Sequence, residues 1–168
     1  MKRSYKEEYQ YWLDSPALGE EEWKELSSIA EDEKEIESRF FAPLEFGTAG
    51  LRGVMATGLN RMNIHVIRWA TQAFATVVKA EGEEACKKGV VICYDCRLNS
   101  EKFAREAAGV MAANGIRVRI FDALRPTPEL SFAVIHYGAT AGINITASHN
   151  PREYNGYKVL SLIHISEP

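Results

Sequence analysis

The chain has 168 residues, which suits one globular domain with a short extension. Hydrophobic residues make up 46%, charged residues make up 26%, and the net charge is −3, so the composition indicates no nucleic-acid or membrane-surface partner. No apolar run approaches the roughly 20 residues of a membrane span. Because Met1-Lys2-Arg3 leads into charged residues rather than an apolar signal core, we expect a cytoplasmic protein.

Residues 1–43 are charged and show helical periodicity. An apolar stripe from Tyr5 to Leu13 predicts one short helix, and a second stripe from Trp23 to Phe40 predicts another. Two short amphipathic helices normally pack onto their own domain, so we expect an amino-terminal helical extension with a solvated acidic face. The alternative is that this acidic face binds a partner.

A glycine-rich stretch follows the junction at Ala42-Pro43, where the main domain, residues 44–160, is expected to begin. Residues 44–46 predict a short strand, and the glycines between Gly47 and Gly58 then let the backbone approach a ligand closely. Arg52 lies within this stretch. A guanidinium offers a rigid fork of donors that matches phosphate, so Arg52 is a candidate phosphate clamp. The alternative is a turn with a surface arginine.

Helical and strand patterns alternate through the rest of the domain. They predict helix 64–79, strand 90–94, helix 100–114, strand 116–121, helix 127–137 and strand 143–145. Connections this short favour βαβ units. The expected fold class is α/β: a three-layer α/β/α domain with a mixed, largely parallel sheet, preceded by the helical extension.

Polar residues follow three of these strands. Arg97 comes after the first strand, Arg125 after the second, and Ser148, His149 and Asn150 after the third. Ligands of open α/β sheets bind beyond the carboxyl ends of strands, so we expect cations to gather around the Ser148 hydroxyl. An ordinary polar loop is the alternative, since loops favour these residue types.

The three cysteines are too few, and odd in number, for a disulfide-stapled secreted fold. Cys93 and Cys96 match a Cys-x-x-Cys pattern, so a small redox protein is one alternative function. However, Cys93 lies inside an apolar strand, whereas a redox pair gains its reactivity at a helix amino terminus. Strand alternation also sends residues three apart to opposite faces, so we expect both cysteines to be inert.

Ordered motifs in the chain resemble the α-D-phosphohexomutase superfamily. Residues 146–151, Thr-Ala-Ser-His-Asn-Pro, followed by 155–158, Asn-Gly-Tyr-Lys, closely resemble its active-site loop. Residues 46–53, Phe-Gly-Thr-Ala-Gly-Leu-Arg-Gly, look like its amino-terminal signature. Other segments fit the family's order or its phosphoglucomutase and phosphopentomutase branch: Arg61-Met62-Asn63, Tyr94-Asp95-Cys96-Arg97 and Pro126-Thr127-Pro128.

The resemblance implies a mutase that moves a phosphoryl group between positions of a hexose or pentose phosphate through a phosphoserine and a bisphosphate intermediate. The residues it implicates are Ser148, His149 and Lys158 as catalytic groups, and Arg52, Asn150 and Arg97 as binders of substrate or phosphate. It also implies a magnesium ion bound through the Ser148 phosphate, a sugar bisphosphate activator and a sugar monophosphate substrate. The alternatives are a packed His149 and a solvated Lys158.

The chain also departs from the family pattern. The metal loop of alternating aspartates and glycines is absent, as are the later sugar- and phosphate-binding domains. We therefore expect an amino-terminal fragment that is inactive alone, with a catalytically silent phosphosugar-binding or interaction module as the alternative. Residues 161–168 resemble nothing in the family, so we expect a foreign tail, or else a real short isoform, and do not count His164 as a ligand.

Overall fold

The computed structural model describes residues 3–47 and 50–161. Thr48 and Ala49 of the amino-terminal signature, and His164 with nearly all of the tail, lie outside the described residues. The elements in chain order are α1 Tyr5–Leu13, α2 Glu20–Ser28, α3 Glu33–Phe40, β1 Leu51–Val54, α4 Ile64–Ala80, α5 Glu83–Lys88, β2 Val90–Tyr94, α6 Ser100–Ala113, β3 Val118–Ile120, α7 Thr127–His136, β4 Ala141–Ile145 and β5 Tyr154–Ser161. Within these ranges, no helix combines the length and the apolar character of a membrane span.

The five strands form one sheet in the order β1-β5-β4-β2-β3. Strand β2 pairs in parallel with β3 and with β4, whereas β5 pairs antiparallel with β4 and with β1. Strands β1 to β4 therefore run in one direction and β5 runs in the other. This arrangement confirms the mixed, largely parallel sheet that the sequence predicts.

Helices cover both faces of the sheet, which confirms the three-layer α/β/α class. On one face, α4 and α6 bury alternate strand residues such as Val90 and Ile92. On the other face, α7 packs against Val91 and Cys93 of the same strand. Both faces of β2 are thus apolar, which explains why its sequence reads as a continuous hydrophobic run.

Helix caps agree with the sequence in one place and differ in another. Asn63 caps α4, because its side-chain oxygen accepts a hydrogen bond of 3.0 Å from the amide of Val66. Asn99 directly precedes α6 and is of a residue type that favours caps, but it makes no such bond, since it adopts a left-handed conformation with φ of 62°. Asparagine tolerates that conformation better than most residues, so Asn99 serves the turn before the helix.

Two predictions about elements were wrong. Residues 44–46 form no strand, and Arg52 lies in β1, which excludes the alternative of a turn at that residue. The apolar stripe from Trp23 to Phe40 is split into two helices, because Asp32 caps α3 by accepting a 3.0 Å bond from the amide of Glu35. The short helix α5 and the long strand β5 were not predicted at all.

The helical extension packs onto the domain through its own small core and a polar bridge. Tyr9, Leu26 and Phe40 are buried together between its helices. Burial raises the pKa of the Glu25 carboxyl, but hydrogen bonds from Thr57 and the Arg39 guanidinium outweigh it and leave that pKa below its usual value. The charged Glu25 side chain therefore links α2 to the segment that follows β1.

Candidate active site

The loop that follows β4 presents Ser148 to solvent. Ser148 adopts a left-handed conformation with φ of 55°, which costs a non-glycine residue about 1–2 kcal/mol. Its amide donates a 3.0 Å hydrogen bond to the Thr146 hydroxyl, which fixes the turn immediately beyond the strand. The exposed Ser148 hydroxyl oxygen then lies 3.5 Å from Nδ1 of His149, at the outer limit of a hydrogen bond.

Arg97 holds this loop from behind. Its Nη2 donates to the carbonyl oxygens of Ser148 at 2.7 Å and of Asn150 at 2.6 Å. Its Nη1 donates to the carbonyl oxygens of Pro151 at 2.8 Å and of Tyr154 at 3.1 Å. The terminal N–H groups of Arg97 thus bind backbone carbonyls of the loop rather than solvent. Its predicted role in binding phosphate stays a prediction.

A polar network supports Arg97 in turn. Asp95 accepts a 2.9 Å bond from the Arg97 amide and a 2.7 Å bond from the Ser100 hydroxyl. The buried amide side chain of Asn155 donates to that hydroxyl and to the carbonyl of Leu98, each at 3.0 Å. These bonds join the loop after β2 to the start of β5, and Asp95 acts as a loop-capping group.

Strand register places Arg52 and Lys158 on one face of the sheet. Arg52 pairs with Gly156, and Lys158 pairs with Asn144. Gly156 and Lys158 are two residues apart on one strand, so all four positions share a face. Asn144 donates a 2.7 Å bond to the Thr127 hydroxyl of α7. The shared face is therefore the one that α7 covers in part.

Arg52 and Lys158 are only partly buried, and neither side chain makes a hydrogen bond or ion pair within residues 3–47 and 50–161. Gly50 brings the amino-terminal signature against this pair of strands. A side chain at Gly50 would clash with the carbonyl oxygen of Tyr157, and its φ of 98° also favours glycine. The two motifs that the sequence places a hundred residues apart therefore adjoin at Lys158.

Gly156 explains how β5 enters the sheet. A Cβ at this position would lie 2.6 Å from the carbonyl oxygen of Thr146 and 2.8 Å from that of Leu51. Such approaches are too short for any side chain, so only glycine lets the neighbouring backbones close in. The Asn-Gly pair, which normally indicates a turn, here occupies the interior of a strand.

Asn150 contributes backbone contacts to the loop. Its amide donates a 3.1 Å bond to the carbonyl of Ala147. Its buried side-chain oxygen has no hydrogen-bond partner among the described residues, so its predicted contact with substrate stays a prediction. A surface recess of about 520 Å³ opens beside the loop; its lining comprises Asp95, Cys96, Arg97, Leu98, Ser148, Asn150 and Arg152.

The sequence also grouped Arg125 with these residues, and the structure gives it acidic partners. Arg125 forms ion pairs with Asp122 at 3.4 Å and with Glu129 at 3.2 Å. It follows the edge strand β3, which is two strands away from β4. The supporting roles of Thr146, Asn144 and Asn155 were not predicted from the sequence. Their positions within or beside the matched motifs could have indicated that they contribute to the site.

The cysteines show no sign of a redox pair. Cys93 is buried in β2, and burial raises the pKa of its thiol to about 12. Since the thiolate is the reactive form, Cys93 is unreactive at neutral pH. Cys96 is exposed in the loop, and both thiols are free.

The described residues do not by themselves fit a magnesium ion. Within residues 3–47 and 50–161, no three or more His, Cys, Asp or Glu side chains come together in a way that could hold a metal ion. Ser148, or a phosphate on it, would supply only part of the near-octahedral oxygen shell that magnesium requires. We therefore derive no step through a metal from this chain.

Comparisons with known proteins agree with this architecture. Residues 43–162 match the family described as phosphoglucomutase/phosphomannomutase, alpha/beta/alpha domain I. Human phosphopentomutase is 43% identical over 157 residues, covering 88% of this chain and 25% of that protein. A phosphoglucomutase of Staphylococcus saprophyticus is 43% identical over 127 residues, covering 76% of this chain and 22% of that protein.

Solved structures give the same picture. A candidate phosphomannomutase from Thermus thermophilus superposes with a TM-score of 0.64 at 36% identity, over 71% of this chain and 26% of that one. A phosphoglucomutase/phosphomannomutase family protein from Burkholderia thailandensis gives a TM-score of 0.56 at 29% identity, over 66% of this chain and 24% of that one. The chain spans about a quarter of the length of the curated relatives it matches.

Proposed function

The chain belongs to the phosphoglucomutase/phosphomannomutase family, and from that membership we propose that it is the phosphoryl-carrying domain of a phosphosugar mutase. Ser148 would carry the phosphoryl group, and a hexose or pentose monophosphate would be the substrate. The observation that supports this assignment is the exposed Ser148 hydroxyl at the carboxyl end of β4, held in a left-handed turn. Loops at such strand ends are where α/β proteins bind ligands.

The proposed reaction has two transfers. In the first, the bond between phosphorus and the Ser148 oxygen breaks while a sugar hydroxyl oxygen bonds to phosphorus; the sugar hydroxyl gives its proton to a base, and the Ser148 oxygen takes up a proton. In the second, the other phosphoryl group of the resulting bisphosphate moves to the Ser148 oxygen, which gives up its proton, and the sugar oxygen that loses that phosphoryl group takes up a proton. Such transfers depend mainly on positioning and on charge stabilisation.

His149 and Lys158 are the proposed acid and base groups, and Arg52 and Lys158 supply positive charge. Nδ1 of His149 lies 3.5 Å from the Ser148 oxygen, and shortening by about 0.3 Å or more when substrate binds would let it exchange a proton with that oxygen. A phosphoserine carries about −1.5 to −2 charges. Arg52 and Lys158 share one sheet face, and no other described side chain neutralises them, which leaves both available to an anion.

Magnesium and a sugar bisphosphate activator belong to the same proposal. When bound, magnesium would offset the charge on the transferring phosphate, and its carboxylate ligands would come from polypeptide outside the described residues. Asn150 and Arg97 would shape the phosphate site.

The proposal also includes a cytoplasmic location. It includes no nucleic-acid or membrane partner, and both points rest on the sequence and its composition alone.

The test is a coupled mutase assay on the complete polypeptide that contains this chain. Ser148→Ala should lower turnover by roughly a thousandfold or more, because the phosphoryl acceptor is gone. Ser131→Ala, a matched control whose hydroxyl donates to the Thr127 carbonyl within α7, should leave turnover unchanged. Near-normal turnover in Ser148→Ala would refute the assignment, and an inactive parent protein without phosphoserine would favour a silent binding module.

A further inference from the structure

We propose that Arg97 is a positioning residue that holds the Ser148 loop in its reactive shape, and that it is not a ligand of the phosphoryl group. The sequence resemblance assigns it to phosphate binding. The inference rests on the proposed function of Ser148, since a loop held in one shape matters only if that loop carries out the chemistry.

The terminal N–H donors of Arg97 all have partners within the chain. A guanidinium has five N–H groups and no acceptor. Nη1 and Nη2 of Arg97 each donate to two carbonyl oxygens of the loop, at distances between 2.6 and 3.1 Å. The remaining Nε faces the Asp95 carboxylate at 3.6 Å. The four terminal N–H groups of Arg97 therefore reach a phosphate only by giving up backbone partners, and the Nε–H group faces a carboxylate, which would repel a phosphate.

The partners of Arg97 are distributed along the Ser148 loop. The accepting carbonyls belong to Ser148, Asn150, Pro151 and Tyr154, so one side chain spans the whole turn that carries the nucleophile. The Ser148 carbonyl is among them, and Ser148 has the unfavourable left-handed φ of 55°. A strained residue keeps its conformation only where its surroundings impose it. Arg97 binds the following peptide group and thereby imposes it.

Arg97 is also largely shielded from solvent. The Arg97 side chain is only 13% exposed, and Asp95 fixes both its backbone amide and the ion pair at Nε. A buried charge with several fixed partners is restricted in where it can move. Arg152 lines the same recess but is exposed and makes no hydrogen bond or ion pair among the described residues. It is therefore a matched control with the same charge.

Amide hydrogen exchange on the unphosphorylated 168-residue chain tests the proposal without any assay of activity. The amides to follow are those of Ser148, Asn150 and Tyr154, which are hydrogen-bonded inside the loop. Arg97→Lys keeps the charge but loses the fork, so exchange of these amides should accelerate about tenfold or more. Arg152→Lys should leave the exchange of these amides unchanged. In both variants, exchange of the amides in β2 and α6 should stay as in the parent chain.

Unchanged amide exchange of the Ser148 loop in Arg97→Lys would overturn the proposal. A residue that only binds phosphate would not affect the loop of the unphosphorylated chain. If Arg97→Lys unfolds the whole chain, Asp95→Asn removes only the charge that faces Nε. That milder variant should still accelerate exchange in the loop alone, and a wild-type pattern would overturn the proposal as well.

Kinetics of the complete polypeptide separate the two roles and the underlying function. As a positioning residue, Arg97 should lower kcat by roughly a hundredfold in Arg97→Lys while KM stays within about threefold of the parent value. A raised KM with kcat intact would instead mark a ligand of substrate phosphate. If Ser148 never carries phosphate, the proposed function fails, and the exchange result still decides whether Arg97 holds the loop.

Discussion

Two cationic regions of the molecule differ in what their charges contact. Arg97 is mostly buried and directs its terminal N–H groups to carbonyl oxygens of its own chain. Arg52 and Lys158 share a sheet face, are partly exposed, and make no such bonds among the described residues. Sequence alone treats all three as cations near Ser148.

This contrast shows that a basic residue near a nucleophile has one of two physical roles. A guanidinium whose terminal donors all bind carbonyl oxygens shapes the backbone, and its removal leaves those carbonyls without their protein partners. A cation without partners on its own chain can stabilise charge that develops on a ligand. The first role should appear in loop order, and the second in turnover without any change in folding.

The largest expected effect concerns the chain taken alone, which spans about a quarter of the length of its curated relatives. All 168 residues by themselves should show no mutase turnover even with magnesium and a sugar bisphosphate. If the sugar is held by surfaces outside these residues, transfer in this chain loses much of the roughly 7–11 kcal/mol that positioning supplies. Turnover within about a hundredfold of the complete polypeptide, in a coupled assay, would show that Ser148, Arg52 and Lys158 suffice.

An intermediate effect should follow from removing either unpartnered cation in the complete polypeptide. Lys158→Met and Arg52→Gln should each lower kcat by about 10²–10³, the usual effect of losing one group that stabilises developing charge. Thermal unfolding should be unchanged, because neither side chain has a partner among the described residues to lose. The comparison fails if either variant unfolds more easily while turnover is retained.

The smallest effect should come from the cysteines. Cys93→Ala removes a buried sulfur and should lower the free energy of unfolding by about 1 kcal/mol, while Cys96→Ser should have no such effect. Neither change should alter turnover, because neither thiol takes part in the proposed chemistry.

Alkylation checks the same assignment independently. Burial raises the pKa of the Cys93 thiol to about 12, so at pH 8 iodoacetamide should modify exposed Cys96 and spare Cys93. Loss of activity in a folded cysteine variant would revive the redox hypothesis.

The central part of the fold was predictable because its patterns are local. The continuous apolar run of β2 and the capped, periodic helix α4 match the structure closely. The resemblance to the phosphohexomutase superfamily, read from separated motifs, is confirmed by the family match over residues 43–162. These signals depend on neighbouring residues or on ordered motifs, both of which a single sequence displays.

The edge of the sheet was not predictable in the same way. Gly156 reads as a turn residue, and only the approach of the Thr146 and Leu51 carbonyls shows why it stands inside β5. Arg52 likewise looked like a loop residue because glycines flank it. The partners of Arg97 lie more than fifty positions away along the chain, so its donors could not be assigned without the folded backbone.

Mapping the phosphoryl group tests the central claim most directly. The complete polypeptide would be incubated with a sugar bisphosphate, digested, and sequenced by tandem mass spectrometry, with Ser148→Ala alongside. The account predicts one phosphorylated peptide with the added mass on Ser148, and none in the variant. A catalytically active protein whose phosphate lies on another residue, or which carries none during turnover, would contradict the account.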